Sequence, residues 1–264
     1  MLRYAREILR TSVCPSKTVF RFFLKSRYIL FLAQILSKRI FNPPGPFKKK
    51  ETTGMEKIDQ SVWPRREAYE MFSKMEYPFY SVIVPLDVTD IFSYTRQKGL
   101  SFYYTMVWLC TKAANSVPQL LLRIRGEDVV RIDAASPSFT DLKKGSEQFH
   151  IVTLPWTENP ALFCRRAAKQ SARQNTFLLS ELETDELIYF SCTPWFDFTA
   201  LTNERSFDRD DTIPRLAWGK YREENGRLLL HLSIDVNHRT VDGLHIAQLL
   251  QAIERETALL KDAP

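Results

Sequence analysis

The chain has 264 residues, 37 Lys and Arg against 31 Asp and Glu, 44% hydrophobic residues and only 8 Gly. That is long enough to bury a large core, and too apolar and Gly-poor for a disordered or fibrous chain. The net charge is +6, yet residues 1–54 hold 12 basic side chains against Glu7 and Glu51, a net of +10, and residues 55–264 hold 25 basic and 29 acidic ones, a net of −4. A nucleic-acid role would rest on the leading segment alone and is not expected. No apolar run reaches the roughly 18 residues of a membrane-spanning helix, so no membrane span is expected. Cys14, Cys110, Cys164 and Cys192 form no CxxC pair. They read as reduced thiols of a cytoplasmic protein, with neither a disulfide frame nor a metal site.

Residues 1–54 form a basic N-terminal extension that mixes Arg and Lys with Phe20, Phe22, Phe23, Tyr28 and Phe31, then breaks at Asn42-Pro43-Pro44-Gly45-Pro46. Lys48-Lys49-Lys50-Glu51 requires purine-rich codons shortly before Met55, where a bacterial ribosome-binding site would sit. The expectation is that Met55 is the true start and that 1–54 is leader. A membrane-surface segment and a structured extension are the alternatives.

Residues 55–264 read as a single domain of alternating strands and helices. Trp63-Pro64-Arg65-Arg66-Glu67 opens a helix, with Pro near its first turn. Tyr80–Val88 alternates as a half-buried strand does. Phe102, Met106, Val107, Cys110, Ala113, Ala114 and Val117 follow helical spacing, which predicts a buried helix over 101–117. Leu121–Arg125 and Val129–Asp133 flank Gly126-Glu127-Asp128 as a hairpin. In Leu228–Val236, Leu228, Leu230, Leu232, Ile234 and Val236 face one way, and Leu229, His231, Ser233 and Asp235 the other. A polar turn, Asn237–Gly243, follows. A last helix then carries Ile246, Leu249, Leu250, Ile253, Thr257 and Leu260 on one face.

That turn holds the one motif that suggests chemistry: His238 and Asp242, four apart, with Gly243 closing it. A rigid strand-turn-helix junction suits a reactive side chain. The competing view is a capped turn, with Asp242 accepting backbone N–H groups at the helix start. His231 lies on the polar strand face and His150 in a loop, and both are read as non-catalytic. Although His231, His238 and His245 recur every seven residues, they span a strand, a turn and a helix and need not converge on a metal.

The stretch Asn237-His238-Arg239-Thr240-Val241-Asp242-Gly243 resembles the His-His-x-x-x-Asp-Gly hallmark of the chloramphenicol acetyltransferase family, with Asn237 in place of the first His. Trp63-x-Arg65-Arg66-Glu67, Phe102-Tyr103, Ser191-Cys192-Thr193-Pro194-Trp195 and Gly219-Lys220-Tyr221 match the same family in order, over nearly all of 57–260. The resemblance implies an α/β fold, a two-layer sandwich of a mixed β-sheet with helices packed on it. It implies an acetyl-CoA-dependent O-acetyltransferase without a resident cofactor, working as a homotrimer with active sites between subunits. His238 would be the general base and Ser191 the oxyanion donor. Asp242 and Arg65 would pair to stiffen the loop. Trp195, Tyr221, Lys220 and Tyr103 would bind acetyl-CoA, and Met71, Phe72 and Phe149 would line the acceptor pocket.

Three positions depart from the family. Ala217 stands where a threonine helps hold a water near the oxyanion. Met71-Phe72 replaces the Phe-Tyr pair that packs the antibiotic, and Ser101 replaces a lysine. The primary hydroxyl of chloramphenicol is the first expectation for the acceptor, and another small hydroxylated molecule the second. The competing classes are a dihydrolipoamide acyltransferase core, whose lipoyl domain and Ala/Pro-rich linkers are absent from this sequence, and a non-catalytic trimeric acyl-donor-binding protein.

Overall fold

The structure is a computed structural model that describes residues 55–143 and 145–261; the readings made for residues 1–54 lie outside them. In chain order the elements are β1 (Glu56–Lys57), α1 (Arg66–Phe72), β2 (Phe79–Asp87), α2 (Thr89–Lys98), α3 (Phe102–Asn115), β3 (Leu122–Arg125), β4 (Asp128–Arg131), β5 (Ser136–Leu142) and β6 (Phe149–Thr153). They continue with α4 (Pro160–Arg173), β7 (Leu187–Thr193), β8 (Arg215–Gly219), β9 (Arg222–Glu224), β10 (Arg227–Asn237) and α5 (Gly243–Lys261).

Six strands follow one another in the order β2-β10-β8-β7-β5-β6, and β9 pairs with β10 to complete a seven-stranded sheet. β7 runs parallel to β5 and to β8, and the other pairings are antiparallel. Helices α2–α5 cover one face, against which Leu230, Leu232, Ile234 and Val236 of β10 are sealed together with Met106, Leu109, Leu249 and Ile253. The mixed sheet with packed helices is the α/β architecture expected.

The helix predicted over 101–117 ends earlier, at Asn115, and begins after Ser101, whose hydroxyl caps the Tyr104 N–H. Val117 precedes Pro118, and that junction disfavours helical backbone, so Val117 is extended (φ −110°, ψ 103°). The hairpin closes on two residues, since Arg125 pairs with Asp128. Gly126 adopts φ +65°, which a turn of this kind asks of its first central residue. His150, expected in a loop, lies in β6 and is buried against the Ser171 hydroxyl at 3.1 Å.

The polar face of β10 is not open to water. Segment 194–214 crosses it: Arg205 binds Asp235 and Asp211, Arg215 binds Asp211, and Ser81 donates to Asp235 at 2.7 Å. Alternation correctly separated the two faces of this strand. It did not reveal that charges would cover the second, because buried ion pairs leave no periodic apolar signal.

β1, β3 and β4 form a second, three-stranded sheet. Arg123 of β3 is fully buried and donates to the carbonyls of Leu120, Leu122, Leu187 and Asp185. Burial pulls its pKa down to about 10, and the four carbonyls hold the buried guanidinium in place. Arg123→Ala removes these four bonds and leaves a cavity, and is expected to lower stability by about 3 kcal/mol. Urea unfolding measures this, and a loss below about 1 kcal/mol would show that water or neighbouring groups replace the guanidinium.

Candidate active site

β10 ends at Asn237, and the chain turns through 238–242 into α5. Two short-range devices shape this turn. Asn237 Oδ1 accepts the Arg239 N–H at 3.0 Å, and its Nδ2 donates to the carbonyls of Arg209 and Asp211 at 2.9 and 3.1 Å. At the other end His245 Nδ1 accepts the Asp242 N–H at 2.9 Å, capping α5 from inside the helix.

The capped-turn view of Asp242 therefore fails for its carboxylate. Both carboxylate oxygens are taken by Arg65, through Nη1 to Oδ2 and through Nη2 to Oδ1 at 2.7 Å. The same guanidinium donates to the carbonyl of His238 and, through Nε, to that of Arg239 at 3.0 Å. One side chain from the start of α1 thus fixes four acceptors of the loop. The planar fork of arginine suits this, where the single point charge of lysine would not.

His238 is held at the centre of this frame. Its backbone N–H donates to Pro78 at 2.7 Å. Phe72 stacks on the imidazole with ring centres 3.9 Å apart and planes 14° from parallel, and Tyr80 packs at 4.4 Å. Nδ1 is buried 3.2 Å from Asp242 Oδ1 without a well-directed hydrogen bond, because Arg65 has claimed that carboxylate. Burial pulls the His238 pKa below its usual 6.5, and the Arg65 charge adds to this. Carbonyls of the loop, its own among them, work in the opposite direction. This favours the neutral ring near pH 7, and no residue among those described bonds Nε2.

The remaining candidates divide between places. Met71, half exposed, sits beside Phe72 on α1. Ser191 is in β7, where it pairs with Ala217, which in turn pairs with Ser233 of β10, so the three share a row on the polar face. His238 lies five residues beyond Ser233, which puts Ser191 about 20 Å from it at ~3.4 Å per residue and ~4.8 Å per strand. Phe149 lies on β6, four strand spacings or about 19 Å from β10, and packs against Phe177. One chain does not bring Ser191 or Phe149 to His238.

Trp195 and Lys220 lie just beyond the far ends of β7 and β8. Lys220 N–H donates to the Phe196 carbonyl at 2.8 Å. A Cβ on Gly219 would come within 2.9 Å of that same carbonyl oxygen, so the turn bearing Trp195 can sit this close only over glycine. Trp195 is 67% exposed and Lys220 is exposed. Tyr221 packs between Phe92 and Phe102. Tyr103 belongs to the core: its ring lies against Phe139 and Trp218, and its hydroxyl donates to the Thr140 carbonyl at 2.5 Å. Sequence reasoning missed Tyr80 and Arg239 at the His238 end. In the sequence Tyr80 reads only as part of a strand, and Arg239 as one of three unspecified positions between His and Asp.

Comparison with known proteins agrees with this picture. A family model described as chloramphenicol acetyltransferase matches residues 53–254. Chloramphenicol acetyltransferase 3 of Escherichia coli is 25% identical over 201 residues, 75% of this chain and 94% of that protein. The chloramphenicol acetyltransferase of Bacillus pumilus is 24% identical over 197 residues, 74% of this chain and 89% of that protein. A solved chloramphenicol acetyltransferase superposes with a TM-score of 0.69 at 21% identity, covering 76% of this chain and 98% of its own. The dihydrolipoamide acetyltransferase of Azotobacter vinelandii shares the fold at a TM-score of 0.55 and 16% identity, covering 84% of this chain and 96% of its own. With a match across most of its length, a mixed sheet of the same architecture and a His-x-x-x-Asp-Gly loop clamped by arginine, the chain belongs to the chloramphenicol acetyltransferase family and is an acyltransferase.

Proposed function

We propose that the protein transfers an acetyl group from acetyl-CoA to the hydroxyl of a small acceptor, with the primary hydroxyl of chloramphenicol as the first candidate. The observation that carries this is His238: a neutral imidazole, gripped by Arg65 through its own carbonyl, with Nδ1 turned inward and Nε2 free. Nε2 takes the acceptor proton as the oxygen attacks the thioester carbonyl. The Ser191 hydroxyl donates to the oxyanion of the tetrahedral intermediate. Collapse breaks the C–S bond, and the departing thiolate takes the proton back from the imidazolium.

Because Ser191 and Phe149 lie some 20 Å from His238 within one chain, the complete site needs a second copy, with His238 of one subunit facing Ser191 of its neighbour. A homotrimer satisfies that. Trp195, Lys220 and Tyr221 are assigned to the acyl donor, with Tyr103 shaping the wall behind them. Phe72 and Met71 form an apolar wall for the acceptor that has no phenolic hydroxyl. Among the described residues no helix is long and apolar enough to cross a membrane, and the unpaired cysteines fit a reducing, cytoplasmic setting.

Release of free CoA thiol on adding chloramphenicol, or one of a panel of hydroxylated acceptors, to the full chain and acetyl-CoA is the direct test. No release with any acceptor would overturn the reading. The shared site has its own test. Ser191→Ala should lower kcat by about 10²–10³, and trimers refolded from a mixture of Ser191→Ala and His238→Ala chains should regain part of the activity. Failure of the mixture to recover would place both residues in one subunit's site.

A further inference from the structure

Phe72 is the last residue of a seven-residue helix that has no side-chain N-cap. A helix of two turns does not hold its place by hydrogen bonding of its own. Its N-terminal end is tied to the loop by Arg65. Its C-terminal end, which carries the ring stacked on His238, is tied by a second arginine running the opposite way. Arg239 leaves the loop, donates through Nε to the Ser73 hydroxyl at 2.8 Å and through Nη2 to the Tyr69 hydroxyl at 2.9 Å, and lies 4.8 Å from the centre of the Tyr69 ring. Through Nη1 it reaches Asp210 at 2.6 Å and the Arg209 carbonyl at 3.2 Å. The side chain is nine-tenths buried (8% exposed). Arg239 therefore joins the end of α1, the His238 loop and the 209–210 turn.

We infer that Arg239 is a positioning residue: its guanidinium fastens the C-terminal end of α1 to the loop and so keeps Phe72 seated on the His238 imidazole. The inference rests on the reading of His238 as the base. With the fork removed, the end of α1 is free to lift, one face of the imidazole opens to water, and the ring gains freedom to turn away from an incoming hydroxyl.

The charged and titratable groups facing His238 are Arg65 from α1, Asp242 from its own loop and Tyr80 from β2, with His245 behind Asp242, while the Arg239 guanidinium is turned to Tyr69, Ser73 and Asp210. The informative variant is Arg239→Lys, which keeps the charge beside Asp210 and loses the fork, so that no change of charge enters the readout. Titration of the imidazoles by NMR, with the His238 signal identified by its loss in His238→Ala, reads the effect without turnover. Arg239→Lys is expected to move the His238 midpoint up towards 6.5. Phe72→Leu should give the same movement, and Arg239→Lys should add nothing further in the Phe72→Leu background. In turnover, kcat should fall tenfold or more while KM for acetyl-CoA stays unchanged. An unmoved titration in Arg239→Lys, or shifts that simply add in the double variant, overturns the inference. Full activity in His238→Ala would instead overturn the catalytic reading beneath it, whatever the titration shows.

Discussion

His238→Ala is expected to lower kcat/KM for acetyl transfer by about 10²–10⁴, the usual contribution of a positioned base. The effect should fall on chemistry alone. The backbone N–H of residue 238 keeps its bond to Pro78, and the Arg65 fork keeps its carbonyls and the Asp242 carboxylate. Binding and the donor proposed at Ser191 should survive, so residual turnover above the uncatalysed rate is expected. Thermal unfolding run beside the kinetics separates this from collapse of the loop. Retention of more than a tenth of wild-type kcat/KM in a folded variant would exclude the imidazole as base.

On the proposed reaction the same residue should set the pH profile. The neutral ring would be the base, and burial together with Arg65 holds its folded-state pKa below 6.5. Turnover should therefore rise with pH through a midpoint below 6.5 and then level off. The folded state also takes up its proton later than the unfolded state does on acidification. The contribution of this group to stability is thus present above 6.5 and lost as pH falls through the folded midpoint.

The second large effect is expected at the Arg65–Asp242 pair, and its two halves should differ. Asp242→Asn leaves a guanidinium whose side chain is only 10% exposed facing a neutral amide, with the carbonyls of His238 and Arg239 as its remaining acceptors. Breaking a fully buried pair costs about 3–5 kcal/mol; because the Asp242 side chain is itself 38% exposed, water screens it and about 1–3 kcal/mol is the expected loss. Arg65→Ala strands a carboxylate that water already reaches, so its charge penalty is smaller. It also frees both loop carbonyls and the start of α1, so activity should fall further, by about 10² or more, with KM for the donor little changed. Urea unfolding and steady-state kinetics on both variants check the pattern. An Arg65→Ala enzyme with wild-type kcat would mean that the loop holds its shape without the fork.

Strong periodicity made the outer parts of the fold legible: β2, α3, the β3–β4 hairpin, β10 and α5 all follow from apolar spacing. What lay between 136 and 219 was harder. β5, β7 and β8 are short strands, and Ser136, Ser138 and Ser191 break any clean alternation. Their placement depends on partners far along the chain. The His-x-x-x-Asp-Gly spacing located the loop, and the family resemblance named Arg65 as its partner. The stacking of Phe72 on the imidazole had no signal in the sequence: Phe72 and His238 are 166 positions apart, and an aromatic at a helix end looks the same whether it meets a base or a core.

The position of β10 has a consequence for how the protein comes into being. Of the strands among the described residues it is the last to leave the ribosome, yet it inserts between β2, one of the earliest, and β8. Until it arrives, β2 has no backbone partner and the four-stranded β8-β7-β5-β6 sheet presents β8 as an unpaired edge. Such edges invite pairing with other chains, and contacts spanning this much sequence form slowly. Nascent or truncated chains ending before residue 227 should therefore be the aggregating species, and any treatment that hastens closure of this gap should raise soluble yield without touching the mature enzyme.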